Sequence, residues 1–210
     1  MPQTQSVDQL YRTPLTPSYW RQARAALSSP KMLVFAALMV ALTRALSIPP
    51  SIPIGHTSLS FGFLARSLCA LVCGPVLGLA FGFVEDILGF ILKPTGEFFF
   101  GYTLSTMLGV LAYALCFYRA RITVWRLVLA NLLVNLLVNA ALGSVWTMMV
   151  RGGGYWGWFV PSLGKNLLTI VPKAVLLYIL YQALLPILRQ MRIIPNQLGP
   201  KGSGVTIREI

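Results

Sequence analysis

The chain has 210 residues, 56% of them hydrophobic and only 10% charged, with a mean hydropathy of +0.72. Soluble domains carry about 25% charged residues, so a soluble enzyme is excluded. The 17 Lys+Arg against 5 Asp+Glu do not mark a nucleic-acid partner either, because the cations sit between apolar runs, as in the loops of a polytopic membrane protein. Cys69, Cys73 and Cys116 all fall inside apolar runs, an odd count that argues against a disulfide framework. The first thirty residues hold Arg12, Arg21, Arg24 and Lys31 close by but no apolar core of a signal peptide.

Residues 1–30 read as a cytoplasmic tail, ending in a short interfacial helix over 17–27 with Tyr19 and Trp20 at headgroup level. The first span is predicted over 32–47, stopped by the proline-rich stretch 48–55. Two short spans, 57–73 and 76–92, meet at a tight turn, Gly74-Pro75. A polar break at 93–97 precedes the fourth span, 98–118. The basic loop Arg119, Arg121, Arg126 leads to the fifth, 127–150. A glycine- and tryptophan-rich loop, 151–158, then precedes the sixth, 162–188, and a basic tail, 189–210. The second and third spans are shorter than the roughly 20 residues a bilayer requires. The expected architecture is an all-α membrane protein, six helices in a compact bundle over 31–188 between two tails.

Loop charge sets orientation. With both termini cytoplasmic, Arg12, Arg21, Arg24, Lys31, Arg119, Arg121, Arg126, Arg189, Arg192, Lys201 and Arg208 lie inside, and only Lys93 and Arg151 outside. Arg44, Arg66, Lys165 and Lys173 fall within spans, as do Glu85 and Asp86. Charges in the membrane are costly unless they pair or face a cavity. Arg44 and Lys165 lie near the outer ends, where snorkelling and ligand contact are both open. Arg66 lies about 13 Å deep; an ion pair with one of the two acids leaves the other acid free for a ligand. Lys173 follows Pro172 at a predicted kink, with a structural role or a ligand contact both open.

Small residues repeat at i, i+4, i+8 twice: Ala37, Ala41, Ala45 in the first span and Gly74, Gly78, Gly82 in the third, stripes that admit a neighbouring helix closely. Aromatics concentrate toward the outside (Phe98, Phe99, Phe100, Tyr102, Tyr155, Trp156, Trp158, Phe159), an interfacial belt by default. Trp146 fits that belt poorly, because it lies inside the fifth span on a face similar to that of Asn131, Asn135 and Asn139. Amides in hydrocarbon must face protein or water, and amides beside a flat ring suit a planar heterocycle. His56 is the single histidine and there is no Walker A motif, so neither a His-based metal site nor ATP hydrolysis by the chain itself is expected. The reading is of a binding protein without enzyme activity, cofactor or metal.

With these residues in hand, the chain resembles the substrate-binding S-components of energy-coupling factor (ECF) vitamin transporters, and within them the folate family. The stretches that carry the likeness are Gly74-Pro75-Val76-Leu77-Gly78, Glu85-Asp86-Ile87-Leu88-Gly89-Phe90-Ile91-Leu92-Lys93-Pro94-Thr95-Gly96 and Phe99-Phe100-Gly101-Tyr102-Thr103-Leu104-Ser105, with Ser60–Leu64 before them. The likeness covers about residues 32–185. It implies a six-helix bundle in a bacterial plasma membrane that captures a vitamin from outside, then topples when docked on a T-component and two ATPase subunits. Ala37, Ala41 and Ala45 are the implied docking stripe. Lys165 and Lys173 depart from the family, which has an arginine and a less basic residue there, and the long basic N-terminal tail is also unlike many members.

The substrate set expected is Arg66, Asp86, Tyr102, Asn135, Asn139, Trp146, Arg151 and Lys165. A pterin would lie deep among Asp86, Asn135, Asn139 and Trp146 with Arg66, and Arg151 and Lys165 would hold glutamate carboxylates at the mouth. The segments 48–55 and 152–158 are candidate lids. Pantothenate, a pyrimidine precursor and a deazapurine remain alternative ligands. A stand-alone transporter or channel, and an assembly subunit without a ligand, remain alternative classes.

Overall fold

A computed structural model describes residues 16–47, 52–54, 57–94, 98–191, 193 and 194. The expected tail before residue 16, most of the 48–55 lid with His56, the break at 95–97 and most of the basic C-terminal tail lie outside the described residues. So do Arg12, Arg192, Lys201 and Arg208, four of the cations that set the expected orientation.

Helix α1 (Pro17–Ala25) starts on a proline after Thr16, where the missing N–H costs nothing, and ends in a 3-10 turn before Pro30. Tyr19, Gln22 and Ala23 form its buried face, the i, i+3, i+4 spacing of one helix side. Tyr19, expected at headgroup level, is turned into the protein. It is buried, donates from its hydroxyl to Ala114 O at 3.2 Å, and packs edge-on to Tyr118. Burial raises its phenol pKa well above the ordinary value.

Helix α2 (Pro30–Ser47) matches the first expected span, and a two-stranded hairpin, β1 (Ile52–Ile54) with β2 (Thr57–Leu59), follows it. Helix α3 (Gly62–Leu92) holds the second and third expected spans, its first arm starting later than residue 57 because the hairpin occupies that stretch. Gly74 interrupts it at φ 77°, beside Pro75. The interruption reverses the chain. Arg66 and Glu85, 19 residues apart, are joined by hydrogen bonds of 3.0 and 3.2 Å, whereas a straight helix would separate them by about 28 Å. The first arm, 62–73, is only about 18 Å long.

Helix α4 (Phe100–Phe117) returns beside the second arm of α3. The glycine stripe permits this approach: a Cβ on Gly78 would meet the Val110 side chain at 3.1 Å, and one on Gly82 the Met107 backbone at 3.0 Å. α5 (Val124–Leu132), a π-helical segment (Leu133–Leu142) and α6 (Gly143–Arg151) form one continuous apolar rod. α7 (Tyr155–Gln190) contains Pro161, Pro172 and Pro186; it begins at Tyr155, so the expected 151–158 loop shortens to Gly152–Gly154. Its 36 residues span about 54 Å. Among the described residues, five helices are long and apolar enough to cross a membrane, and one of them, α3, is folded back on itself.

Two ends of the bundle can be told apart. The α1 end holds α1, the Gly74 reversal, Arg119 and the last turn of α7. The hairpin end holds β1–β2, Lys93 and Gly152–Gly154. Toward the α1 end the core is sealed by Tyr113, Phe117, Leu127, Leu177, Tyr181 and Leu185, all buried.

Candidate functional site

Glu85 is the fully buried centre of the polar half of the bundle. It is paired with both Arg44 and Arg66, so neither alternative first considered for Arg44, surface snorkelling or ligand contact, describes its main contact. A buried carboxylate is tolerated only with such partners. Asp86, the next residue, projects elsewhere: Thr103 and Thr106 of α4 donate to its two oxygens at 2.7 and 2.9 Å. The acid expected to be free is therefore held by hydroxyls, and it reaches the ligand space through Thr106.

Two adjoining cavities open between α4, the π-segment and α7, one of about 800 Å³ and one of about 460 Å³. Tyr102, Ser105, Asn139, Ser162 and Lys165 line both. The larger extends to Thr147, Trp158 and Leu168 at the hairpin end. The smaller reaches inward to Arg66, Thr106, Tyr113 and Lys173. Of the expected substrate set, Arg66, Tyr102, Asn139 and Lys165 line the cavities. Asp86, Asn135, Trp146 and Arg151 do not.

Each of those four has a physical reason. Asp86 is screened by its threonines. Asn135 is buried, donates to Asn131 O at 2.8 Å, and accepts from Lys173 Nζ at 2.6 Å. Asn131 in turn donates to Ile170 O at 2.8 Å. The amide row therefore divides: two members tie the rod to α7, and Asn139 alone is exposed to the cavity. Trp146 donates from Nε1 to Ser105 Oγ at 2.9 Å and lies against Phe99, so it supports a lining residue without lining the space itself. Arg151 ends α6 with its side chain exposed.

Lining residues outside the expected substrate set include Ser105, Thr106, Ser162 and Asn166, together with Trp158 of the candidate lid and Lys173, whose ligand contact was open. The signal for three of them lies in the sixth span, where Ser162, Lys165, Asn166, Thr169 and Lys173 recur at the spacing of one helix face. Trp158 donates to Gly152 O at 2.9 Å, joining the shortened glycine loop to the cavity rim. Lys173 also lies 5.9 Å from the Phe63 ring centroid. The charge balance is informative. Around the cavities stand Arg44, Arg66, Lys165 and Lys173 against Glu85 and Asp86, leaving two positive charges unmatched. A small molecule with negative charge is the electrostatic complement of this space. No group of three or more possible metal ligands occurs among the described residues.

Residues 31–185 match the sequence family described as ECF transporter, substrate-specific component. The chain is 32% identical over 152 residues to a folate transporter, FolT, of Clostridium novyi (strain NT), covering 70% of this chain and 86% of that protein. It is 30% identical over 146 residues to a folate transporter, FolT, of Leuconostoc mesenteroides, covering 66% and 77%. Among solved structures, a crystal structure of FolT bound with folic acid superposes with a TM-score of 0.64 at 27% identity, over 72% of this chain and 91% of that one.

Proposed function

The chain belongs to the substrate-specific components of ECF transporters, and on that premise we propose that it captures folate from outside the cell for ATP-driven uptake. The observation that carries the reading is the cavity pair with its excess of two positive charges, since folate is an elongated dianion with a planar heterocycle at one end. The pterin occupies the inner cavity beside Asn139, Ser105 and the Thr106–Asp86 pair, with Arg66 and Lys173 behind it. The aromatic middle lies along Tyr102, and Lys165 takes a glutamate carboxylate nearer the rim. Asn135 and Trp146 are positioning residues, through Lys173 and Ser105 respectively. Trp158 and Gly152–Gly154 form the rim that closes. The sealed aromatic core toward the α1 end argues for capture in preference to a stand-alone channel, which would need a continuous polar path.

Counting the arms of α3 separately, the bundle crosses the membrane six times with both termini cytoplasmic, and the domain runs over 31–188 between the two tails. Ala37, Ala41 and Ala45 are all exposed on α2, beside exposed Leu38 and Leu42. This small-residue face is the docking surface for a membrane T-component carrying two ATPase subunits.

Intrinsic tryptophan fluorescence of the purified chain, titrated with folate, pantothenate and riboflavin, tests the capture. Saturable quenching by folate alone is expected; binding of another vitamin in its place would move the assignment, and binding of none would end it. For the docking face, Ala41→Trp is expected to abolish folate uptake in cells while leaving the fluorescence titration unchanged. Undiminished uptake would remove α2 from the interface.

A further inference from the structure

The α1 end carries a separate, smaller pocket of about 180 Å³. Its apolar wall comes from Met32, Leu71 and Val72 on one side and Ile193 and Ile194, just past α7, on the other. Gln22 of α1 and Arg119 supply its polar side. Arg119 is held there in an unusual way. It is the one non-glycine among the described residues with positive φ, at 50°, a conformation uncommon outside turns for a side chain of this size. Its guanidinium carbon lies 5.8 Å from the Tyr118 ring centroid. Its Nη1 is buried and has no hydrogen-bond partner, whereas buried guanidinium nitrogens are ordinarily paired.

Among the described residues, no acid is free to satisfy it. Glu85 and Asp86, the two acids among the described residues, are already held by Arg44, Arg66, Thr103 and Thr106, and Glu85 lies about 16 Å of helix from the Gly74 reversal. The surroundings are cationic. Arg21 and Arg24 are exposed on α1, and Lys31 is exposed at the start of α2. A guanidinium lining a half-apolar pocket at the end of a membrane bundle, within a basic field, calls for an anion with a hydrocarbon body.

We propose that this pocket binds an anionic phospholipid, with the Arg119 guanidinium donating to the headgroup phosphate and Met32, Leu71, Val72, Ile193 and Ile194 receiving the adjoining carbons. Arg21 and Arg24 add attraction without direct contact. The site is built partly from α1 and from Ile193–Ile194, outside the family match, and it is independent of the folate cavity.

The test is native mass spectrometry of the full chain, without folate, against an equimolar mixture of phosphatidylglycerol and phosphatidylcholine. Wild type is expected to retain phosphatidylglycerol about fivefold over phosphatidylcholine, the preference one well-placed cation supplies. Arg119→Asn, chosen because Asn tolerates positive φ, is expected to bring that ratio to about one, with folate quenching and thermal unfolding unchanged. Should the Asn variant fail to fold, Arg119→Gly removes the same guanidinium from the same backbone conformation. Equal retention of both lipids by wild type, or an undiminished ratio in the variants, would overturn the proposal. Displacement of phosphatidylglycerol by millimolar inorganic phosphate would overturn it in favour of a free-anion site.

Discussion

The two ends of this bundle solve the same problem, burying polar groups in hydrocarbon, in opposite ways. At the hairpin end, charges are kept and shared: one carboxylate serves two arginines, the next serves two hydroxyls, and Lys173 leans on an amide. Toward the α1 end, the interior is aromatic and apolar, and the cations Arg119, Arg21 and Arg24 stand at its margin. Tyr113, Phe117, Tyr181 and Leu177 fill the interior, and Tyr19 satisfies its hydroxyl on a backbone carbonyl. The contrast assigns work to the two halves. A polar, positively unbalanced half can hold an anion, and a sealed half offers it no continuous polar path onward.

The contrast can be broken most severely at Glu85. Glu85→Gln leaves Arg44 and Arg66, both part-exposed, without a counter-charge and should cost about 1.5–3 kcal/mol of stability, read as a fall in unfolding temperature in detergent with or without folate. If stability holds, the shared carboxylate is not the keystone of the polar half. Gly74→Ala strikes the sealed end. At φ 77° an added Cβ is strained and meets the Tyr118 ring at 2.8 Å. A loss of about 1–3 kcal/mol is expected, with folate affinity in the surviving folded fraction unchanged. A parallel loss of affinity would show that the two halves are coupled. Lys173→Met sits on the boundary. It removes a half-buried cation that lines the inner cavity, so folate should bind about tenfold more weakly, about 1.4 kcal/mol, while unfolding temperature stays level or rises as a partly desolvated charge is lost. A fall in stability without a fall in affinity would make Lys173 a strut for Asn135 only.

Much of this was legible in the sequence because membranes impose simple rules. Apolar run length located the helices, and Gly74-Pro75 located the reversal. The Arg66–acid pairing followed from the cost of unpaired charge. What was not legible depended on rotation about the helix axis. The spacing of Asn131, Asn135 and Asn139 placed them on one face, yet the π-segment over 133–142 and the position of Lys173 bury two and open the third. The two small-residue stripes have the same pattern and opposite uses: Gly74, Gly78 and Gly82 are buried against α4 and Tyr118, and Ala37, Ala41 and Ala45 face outward. Trp146 and Asp86 were recognised as unusual, but their hydrogen bonds to Ser105, Thr103 and Thr106 cross between helices and have no signature in local spacing. The polar face of α7 was readable, since Ser162, Lys165, Asn166 and Lys173 share helical spacing, although its meaning emerged only beside the π-segment.

The most direct test of the account is calorimetric titration of wild type and Lys165→Ala with folate and with pteroate, which lacks the glutamate. Lys165→Ala is expected to weaken folate by about 1.5–3 kcal/mol, the worth of a hydrogen bond to a charged group, and to leave pteroate binding unchanged. Equal losses for both ligands, or no loss for folate, would contradict the assignment of the glutamate to Lys165 and with it the orientation of the ligand in the cavity.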